Sequence, residues 1–240
     1  MKIGLISDVK YCLPVAPFTA EDAKKRADRL SAALRAFVKE KVDICFCIGN
    51  LVEQKHQNRT QVLECFSEVL EVIHATNLPF YYATAPEDFL KTTAEDLRTL
   101  LGLYETQYTV HADDMLFLLI DGSYTSQTHH FNQNDTLPAE FLLPDHLVES
   151  LRKRLAILNH WMVISYHNLD SEIASSLTLK NADDLRAILR NASQSDRPFS
   201  LTVAQAAHHH TEDFTLDGIR CIAVPPLHTS DTDFYRIVEC

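Results

Sequence analysis

The chain has 240 residues, of which 46% are hydrophobic and 23% are charged, and its formal net charge is −11 at pH 7. This composition predicts one globular domain spanning residues 1–240, and it excludes a membrane-spanning helix because no apolar run approaches the roughly 20 residues required. The acidic residues are dispersed, which excludes broad attraction to nucleic acids or to anionic membranes.

The first half of the chain alternates predicted strands and helices. The run Lys2–Ser7 is typical of a buried strand and is too short for a signal peptide, so we expect a cytoplasmic protein. The following elements are a helix from Thr19 to about Lys41, a strand at Val42–Ile48, a helix at about Thr60–Ala75 and a strand at Phe80–Ala83. This alternation predicts parallel strands joined by helical crossovers.

The second half begins with a predicted antiparallel pair and then returns to alternating elements. The pair is Gln107–His111 with Met115–Asp121, around a short polar turn. The later elements are helices at about Asp145–Leu158 and Ala182–Arg190, strands at Trp161–Tyr166 and Leu201–Ala204, and short strands near Phe214, Cys221 and Tyr235–Val238. The whole pattern predicts an α/β fold: a four-layer α-β-β-α sandwich of two mixed β-sheets flanked by helices.

Residues with metal-binding or acid–base chemistry follow five of the predicted strands, where ligands bind in folds of this kind. The five segments are Ser7-Asp8-Val9-Lys10, Gly49-Asn50, Ala85-Pro86-Glu87-Asp88, His167-Asn168 and Ala207-His208-His209-His210. Together they resemble the calcineurin-like metallophosphoesterase superfamily. Its ordered signature is Asp-x-His, Gly-Asp, Gly-Asn-His-Asp, a lone His and Gly-His-x-His, each at a strand end, and it binds two metal ions.

The resemblance covers essentially the whole chain. Two further stretches, Phe117–Gly122 and Asn181–Leu189, look most like the branch of manganese-dependent phosphohydrolases that cleave ADP-ribose and CDP-alcohol diphosphates. The resemblance implies a fold, a reaction class and a set of ligands. The positions that match its metal ligands are Asp8, Asn50, His167, His208 and His210.

Four metal-ligand or phosphate-facing positions depart from the family signature. Lys10 stands where the first segment has a histidine, and an ammonium has no lone pair to give a metal. Asn50 stands where the family has the carboxylate that bridges both metals, and an amide brings no negative charge. Pro86 and Glu87 replace the asparagine ligand and the phosphate-facing histidine.

These departures predict a degraded metal centre. We expect the Lys10 ammonium to pair with Asp8 in place of the first metal ion. A second site could form from His167 and His208, completed by Asn50 or by a carboxylate from Glu87 or Asp88. The expectation is therefore at most one divalent ion, manganese, zinc or iron, or none.

Two functions remain open from the sequence. The first is a phosphohydrolase of impaired or altered activity, in which Lys10 acts as a cationic clamp and His210 or Glu87 as an acid or base. The second is an inactive family member that binds a small phosphorylated ligand, a nucleotide or another protein. Solvent exposure explains the histidines at His111 and His129-His130 without any function, and chance exposure is the alternative for the run that ends at His210.

Overall fold

The computed structural model describes residues 1–156, 160–169, 178–194, 200–207, 212–230 and 234–240. Across these residues the chain forms ten strands, five α-helices and one 3-10 helix. The strands are β1 (Lys2–Ser7), β2 (Ile44–Ile48), β3 (Phe80–Ala83), β4 (Tyr108–Ala112), β5 (Met115–Ile120), β6 (His160–Ser165), β7 (Ser200–Ala206), β8 (Phe214–Leu216), β9 (Ile219–Val224) and β10 (Arg236–Glu239). The helices are α1 (Ala20–Lys39), α2 (Arg59–His74), the 3-10 helix (Pro86–Phe89), α3 (Ala94–Leu101), α4 (Asp145–Leu155) and α5 (Ala182–Ser193).

The strands form two mixed sheets. The four-stranded sheet has the order β10-β1-β2-β3, with β1, β2 and β3 parallel and β10 antiparallel at one edge. The six-stranded sheet has the order β4-β5-β6-β7-β9-β8, with a parallel centre and antiparallel strands at both edges. The predicted parallel crossovers and the predicted antiparallel pair are both confirmed, the latter as β4 and β5.

Alternate residues of each central strand enter two different cores, as the period of two in a strand requires. In β2, Phe46 lies in the core between the sheets, where its ring centroid is 4.7 Å from that of Phe117 in β5. Its neighbours Cys45 and Cys47 lie in the other core, together with Phe37 of α1. The sandwich of two sheets with helices outside is therefore confirmed.

Helix α1 begins at the residues that the capping box in the sequence predicts. Thr19 accepts a hydrogen bond from the Asp22 amide while the Asp22 side chain accepts from the Thr19 amide, which fixes the start of α1. The helix ends two residues before the predicted position, and Lys41 then adopts a left-handed conformation with φ of 56°. Among the helices of the described residues, none is long and apolar enough to cross a membrane.

The carboxyl ends of the central strands of both sheets meet at one edge of the sandwich. Beyond β1, the Ser7 hydroxyl donates to the carbonyl oxygen of Val224, the last residue of β9, at 2.9 Å. The Leu227 amide returns a bond to the Ser7 carbonyl oxygen at 2.9 Å. These bonds join the two sheets, so that segments following β1, β2, β3, β6 and β9 converge on the same cleft.

Candidate functional site

The loops that follow β1 and β2 form the frame of the cleft. Four of their residues have left-handed backbone conformations, with φ of 47° at Asp8, 48° at Lys10, 69° at Gly49 and 51° at Asn50. The two loops remain joined by main-chain hydrogen bonds beyond the strands, from the Asp8 amide to Gly49 and from the Lys10 amide to Asn50. Aspartate and asparagine adopt this conformation more readily than other non-glycine residues, whereas it is uncommon for lysine. The frame therefore sets Asp8 opposite Asn50.

Asp8, Asn50 and Tyr166 form a closed hydrogen-bonded cluster at the floor of the cleft. The Asn50 Nδ2 group donates to Asp8 Oδ1 at 2.8 Å and to the Tyr166 hydroxyl oxygen at 2.9 Å. The Tyr166 hydroxyl in turn donates to Asp8 Oδ1 at 3.3 Å. All three side chains are buried. One oxygen of the Asp8 carboxylate thus receives two protein donors.

Burial raises the pKa values of the two acidic side chains in this cluster, Asp8 and Tyr166. It raises the pKa of the Tyr166 phenol well above its usual value, so this group acts as a neutral donor at pH 7. Burial also raises the pKa of Asp8, although the Asn50 hydrogen bond and the Lys10 charge oppose that rise. The Asn50 hydrogen bond and the Lys10 charge therefore both favour the charged form of Asp8 against burial.

Lys10 pairs with Glu87 and not with Asp8, which corrects the expectation from the sequence. Its Nζ lies 2.9 Å from Glu87 Oε2, and the two side chains are 21% and 34% exposed. Burial acts to lower the pKa of Lys10, but the charge and hydrogen bond of Glu87, and then the charge of Asp8, raise it overall. Asn50 and Tyr166 both donate to Asp8 Oδ1, and Lys10 acts on Asp8 only through its charge.

Asp88 is fully buried and holds backbone groups of the frame. Its Oδ2 accepts from the Ala85 amide at 2.8 Å and from the Asn50 amide at 3.2 Å. Its Oδ1 has no hydrogen-bond partner in the part of the chain that the structure describes. Burial raises the pKa of this carboxyl to about 7. Asp88 thus fixes the turn that starts at Pro86 against the loop of Asn50.

His228 also lies at the cleft, although the sequence pattern does not indicate it. Its Nδ1 donates to the backbone oxygen of Asp8 at 2.8 Å, and its amide contacts the same oxygen at 3.2 Å. Burial is the main cause that lowers the pKa of this imidazole, so the ring is neutral at pH 7. The available signal was its place just beyond β9, whose carboxyl end lies on the same edge as those of β6 and β7.

His167 is buried one residue beyond Tyr166. Its imidazole lies against the backbone of Gly122, where an added Cβ would come within 2.7 Å of its Cδ2, and beside the ring of Phe141. Gly122 therefore makes room for this histidine at the end of β5. The other two predicted histidine ligands, His208 and His210, lie outside the described residues. The metal role of His167 stays a prediction.

No protein-family model matches the chain, and no curated protein sequence matches it. Solved structures do match. A dimetal phosphatase from Danio rerio superposes with a TM-score of 0.71 at 12% identity, covering 95% of this chain and 88% of that chain. The chain has the calcineurin-like metallophosphoesterase fold.

Two further structures with this fold show how widely it is used. Phosphopantetheinyl hydrolase from Mycobacterium tuberculosis matches with a TM-score of 0.59 at 8% identity, covering 99% of this chain and 95% of that chain. A sulfate thiohydrolase from Thermus thermophilus matches with a TM-score of 0.51 at 11% identity, covering 95% of this chain and 52% of that chain. The resemblance is confirmed for the fold, while the ADP-ribose and CDP-alcohol branch stays a prediction.

The described residues do not fit the two-metal centre that the metallophosphoesterase resemblance implies. Asn50 turns its amide nitrogen, a donor, toward Asp8, and Tyr166 adds a second donor to the same carboxylate oxygen. Asn50 Oδ1 is buried without a hydrogen-bond partner among the described residues. Within those same residues, His, Cys, Asp and Glu side chains form no cluster of three suited to a metal ion. Two dications are held by several anionic ligands, whereas this cluster supplies the single carboxylate of Asp8.

Proposed function

We propose that this protein is a metallophosphoesterase-fold protein that has lost hydrolysis and acts in the cytoplasm as a binding module. The observation that carries the proposal is the Asn50 amide nitrogen at 2.8 Å from Asp8 Oδ1. A metal-bridging carboxylate at this position would repel Asp8 in the absence of an ion, whereas the amide bonds to it. The side chain thus stabilises the cleft without metal.

The charges around the cleft support the same conclusion. Metal-assisted phosphoester hydrolysis needs ions that activate water and balance the charge on the phosphoryl oxygens. Among the described residues, the ammonium of Lys10 is the cation whose charge acts most strongly on Asp8, and it is engaged with Glu87. A lysine can attract a phosphate but cannot generate hydroxide. Loss of one member of a catalytic set commonly reduces the rate by several orders of magnitude.

The ligand class that we propose is a small phosphorylated molecule or a nucleotide. A phosphate group reaching the cleft would compete with Glu87 for Lys10, whose side chain is 21% exposed. Charge-assisted bonds from an ammonium to phosphate oxygens favour this exchange. The alternative ligand is another protein, which would cover the Lys10–Glu87 pair.

A second function, slow hydrolysis with one metal ion, is favoured by one observation. Asn50 Oδ1 is a buried acceptor with no partner in the described part of the chain, and an amide oxygen can ligate a divalent ion. His167, His208 and His210 would then complete the site for manganese, zinc or iron, with Lys10 as clamp. Glu87 or His210 would serve as the acid or base.

The test is the metal content and the phosphodiesterase activity of the purified protein after incubation with manganese or zinc. We expect the native protein to carry far less than one equivalent of metal and to leave nucleotide diphosphates intact. A Lys10→His/Asn50→Asp/Tyr166→Phe variant should bind more metal, because it regains a ligand and a bridging charge and loses the competing phenol. One equivalent of metal in the native protein, with hydrolysis that Asp8→Ala abolishes, would overturn the proposal.

A further inference from the structure

His130 makes a partly buried ion pair outside the cleft. The sequence predicts solvent exposure for His129 and His130, but the His130 side chain is only 21% exposed. Its Nε2 lies 2.8 Å from Asp121 Oδ2, and its Nδ1 lies 2.8 Å from the Phe131 carbonyl oxygen. The Asp121 side chain is fully buried. A carboxylate and a carbonyl can only accept, so both ring nitrogens must donate and the ring is an imidazolium.

This ion pair joins the end of β5 to the 3-10 helix. Asp121 directly follows β5, and its Oδ1 accepts from the Ser123 amide at 2.9 Å. The His130 ring packs edge-on against Phe89, with centroids 4.4 Å apart, and against Tyr124, with centroids 4.7 Å apart. Phe89 is buried and is the last residue of the 3-10 helix. His130 therefore contacts the element that carries Glu87.

We propose that protonated His130 is a positioning residue, which holds the 3-10 helix against the end of β5 and so keeps Glu87 in its ion pair with Lys10. Loss of the His130 proton removes the donor to Asp121 or the donor to Phe131, and the ring then loosens its contact with Phe89. The site becomes less ordered as a result. This inference does not depend on whether hydrolysis is retained.

The charged and titratable groups around His130 favour its proton. Asp121 faces it from the end of β5, and Asp135, which pairs with His129 at 2.9 Å, acts on it through its charge. Tyr124 faces it as a phenol whose pKa burial raises to about 12. The 3-10 helix presents the uncharged ring of Phe89. The local charge around the ring is therefore negative.

The pH window follows from the directions of the two pKa shifts. Burial acts to lower the pKa of His130, but the charge and hydrogen bond of Asp121 raise it overall. Burial acts to raise the pKa of Asp121, but His130 and other donors lower it to about 2. Both members of the ion pair are therefore charged at any pH between the Asp121 pKa of about 2 and the raised pKa of His130. The ion pair is lost as pH rises through the raised pKa of His130, or as pH falls from 3.8 toward 2.

Amide hydrogen exchange of the 3-10 helix tests this inference. The Asp88 amide bonds to the Ala85 oxygen at 3.0 Å, and the Leu90 amide bonds to the Glu87 oxygen at 3.3 Å. After correction for intrinsic exchange, their protection should fall by about tenfold in the native protein as His130 loses its proton. In His130→Gln, protection should be low already at pH 7. His129→Gln is the matched control and should behave as the native protein does.

Two controls keep the result interpretable. Asp88 itself titrates in this helix, so native and His130→Gln proteins are compared at each pH. Asp121→Asn retains hydrogen-bonding capacity and removes the charge, and it should lower the His130 pKa measured by NMR. The proposal fails if the His130 pKa measured by NMR is not above its ordinary value of 6.5. It also fails if His130→Gln leaves the protection of Asp88 and Leu90 unchanged.

Discussion

Glycine is required at position 49 for two reasons, its backbone conformation and the lack of space for a side chain. Its φ is +69°, and an added Cβ would lie 2.4 Å from Tyr166 Cδ2 and 2.6 Å from Ala85 Cβ. The left-handed conformation costs a non-glycine residue about 1 to 2 kcal/mol, and overpacking adds about 1 to 3 kcal/mol. Gly49→Ala should therefore lower the free energy of unfolding by roughly 2 to 5 kcal/mol in a urea titration.

The matched control for that substitution is Gly102→Ala. Gly102 has a similar φ of +65°, but an added Cβ would meet nothing within 4 Å. Gly102→Ala should therefore show only the backbone cost, about 1 to 2 kcal/mol. Equal losses for the two variants would mean that Tyr166 does not pack against Gly49 as described.

Some residues of the cleft were predictable and others were not, for reasons of side-chain direction. The rule that ligands bind beyond the carboxyl ends of the strands predicted that Asp8, Asn50 and Glu87 lie close together. In the structure they are joined directly or through Lys10. Tyr166 could not be foreseen, because whether the last residue of a strand or the next one points into the cleft depends on local backbone angles. The partner of Lys10 was mispredicted for the same reason, since the direction of its side chain toward Glu87 is not set by the sequence pattern.

At the scale of elements, Tyr166 links the two sheets. It follows β6 of the six-stranded sheet and bonds to residues after β1 and β2 of the four-stranded sheet. Tyr166→Phe leaves the ring in place, and it removes a donor to Asp8 and an acceptor for Asn50. Since both partners are buried, we expect the free energy of unfolding to fall by about 1 to 3 kcal/mol.

Chemical denaturation measures this loss, with Tyr104→Phe as the control. Tyr104 is 90% exposed, so removal of its hydroxyl should leave the stability within about 0.5 kcal/mol of the native value. A native-like stability for Tyr166→Phe would show that the hydroxyl contributes nothing to the joining of the sheets.

The elements themselves were largely predictable, since apolar periodicity identifies strands and helices without knowledge of their partners. The order of β1, α1, β2, α2 and β3 was confirmed, as was the antiparallel pair of β4 and β5. His228 was missed because the short strand β9 was not recognised as another parallel strand of the sheet. Its parallel pairing with β7 sets residues beyond Val224 beside Asp8.

For the whole molecule, the free energy of unfolding should depend on pH through the titration of Asp88. Burial raises the pKa of this carboxyl from 3.8 to about 7, so the folded protein binds a proton that the unfolded chain releases. This group makes the free energy of unfolding fall as pH rises from about 4 to about 7, by roughly 2 to 4 kcal/mol. In Asp88→Asn the amide oxygen still accepts the two backbone bonds, and this fall should disappear.

Thermal or urea unfolding from pH 4 to pH 8 provides the comparison. Asp96→Asn serves as a control of opposite sign, because the Arg59 hydrogen bond is the first cause that lowers the Asp96 pKa to about 2. That variant should lose stability relative to the native protein above pH 4. Parallel pH profiles for the native protein and Asp88→Asn would contradict the buried, proton-binding role of Asp88.

The main-chain bonds between the loops after β1 and β2 have a consequence for how such a protein can change. They continue past the strands, through the Tyr11 amide to Leu51 and the Glu53 amide to Tyr11, and they use no side-chain atoms. Main-chain hydrogen bonds therefore set the geometry of the cleft. Its chemistry depends on side chains, which can be exchanged one at a time. A chain of this kind can abandon one chemistry and acquire another without rebuilding its scaffold, which makes these loops a natural starting point for protein engineering.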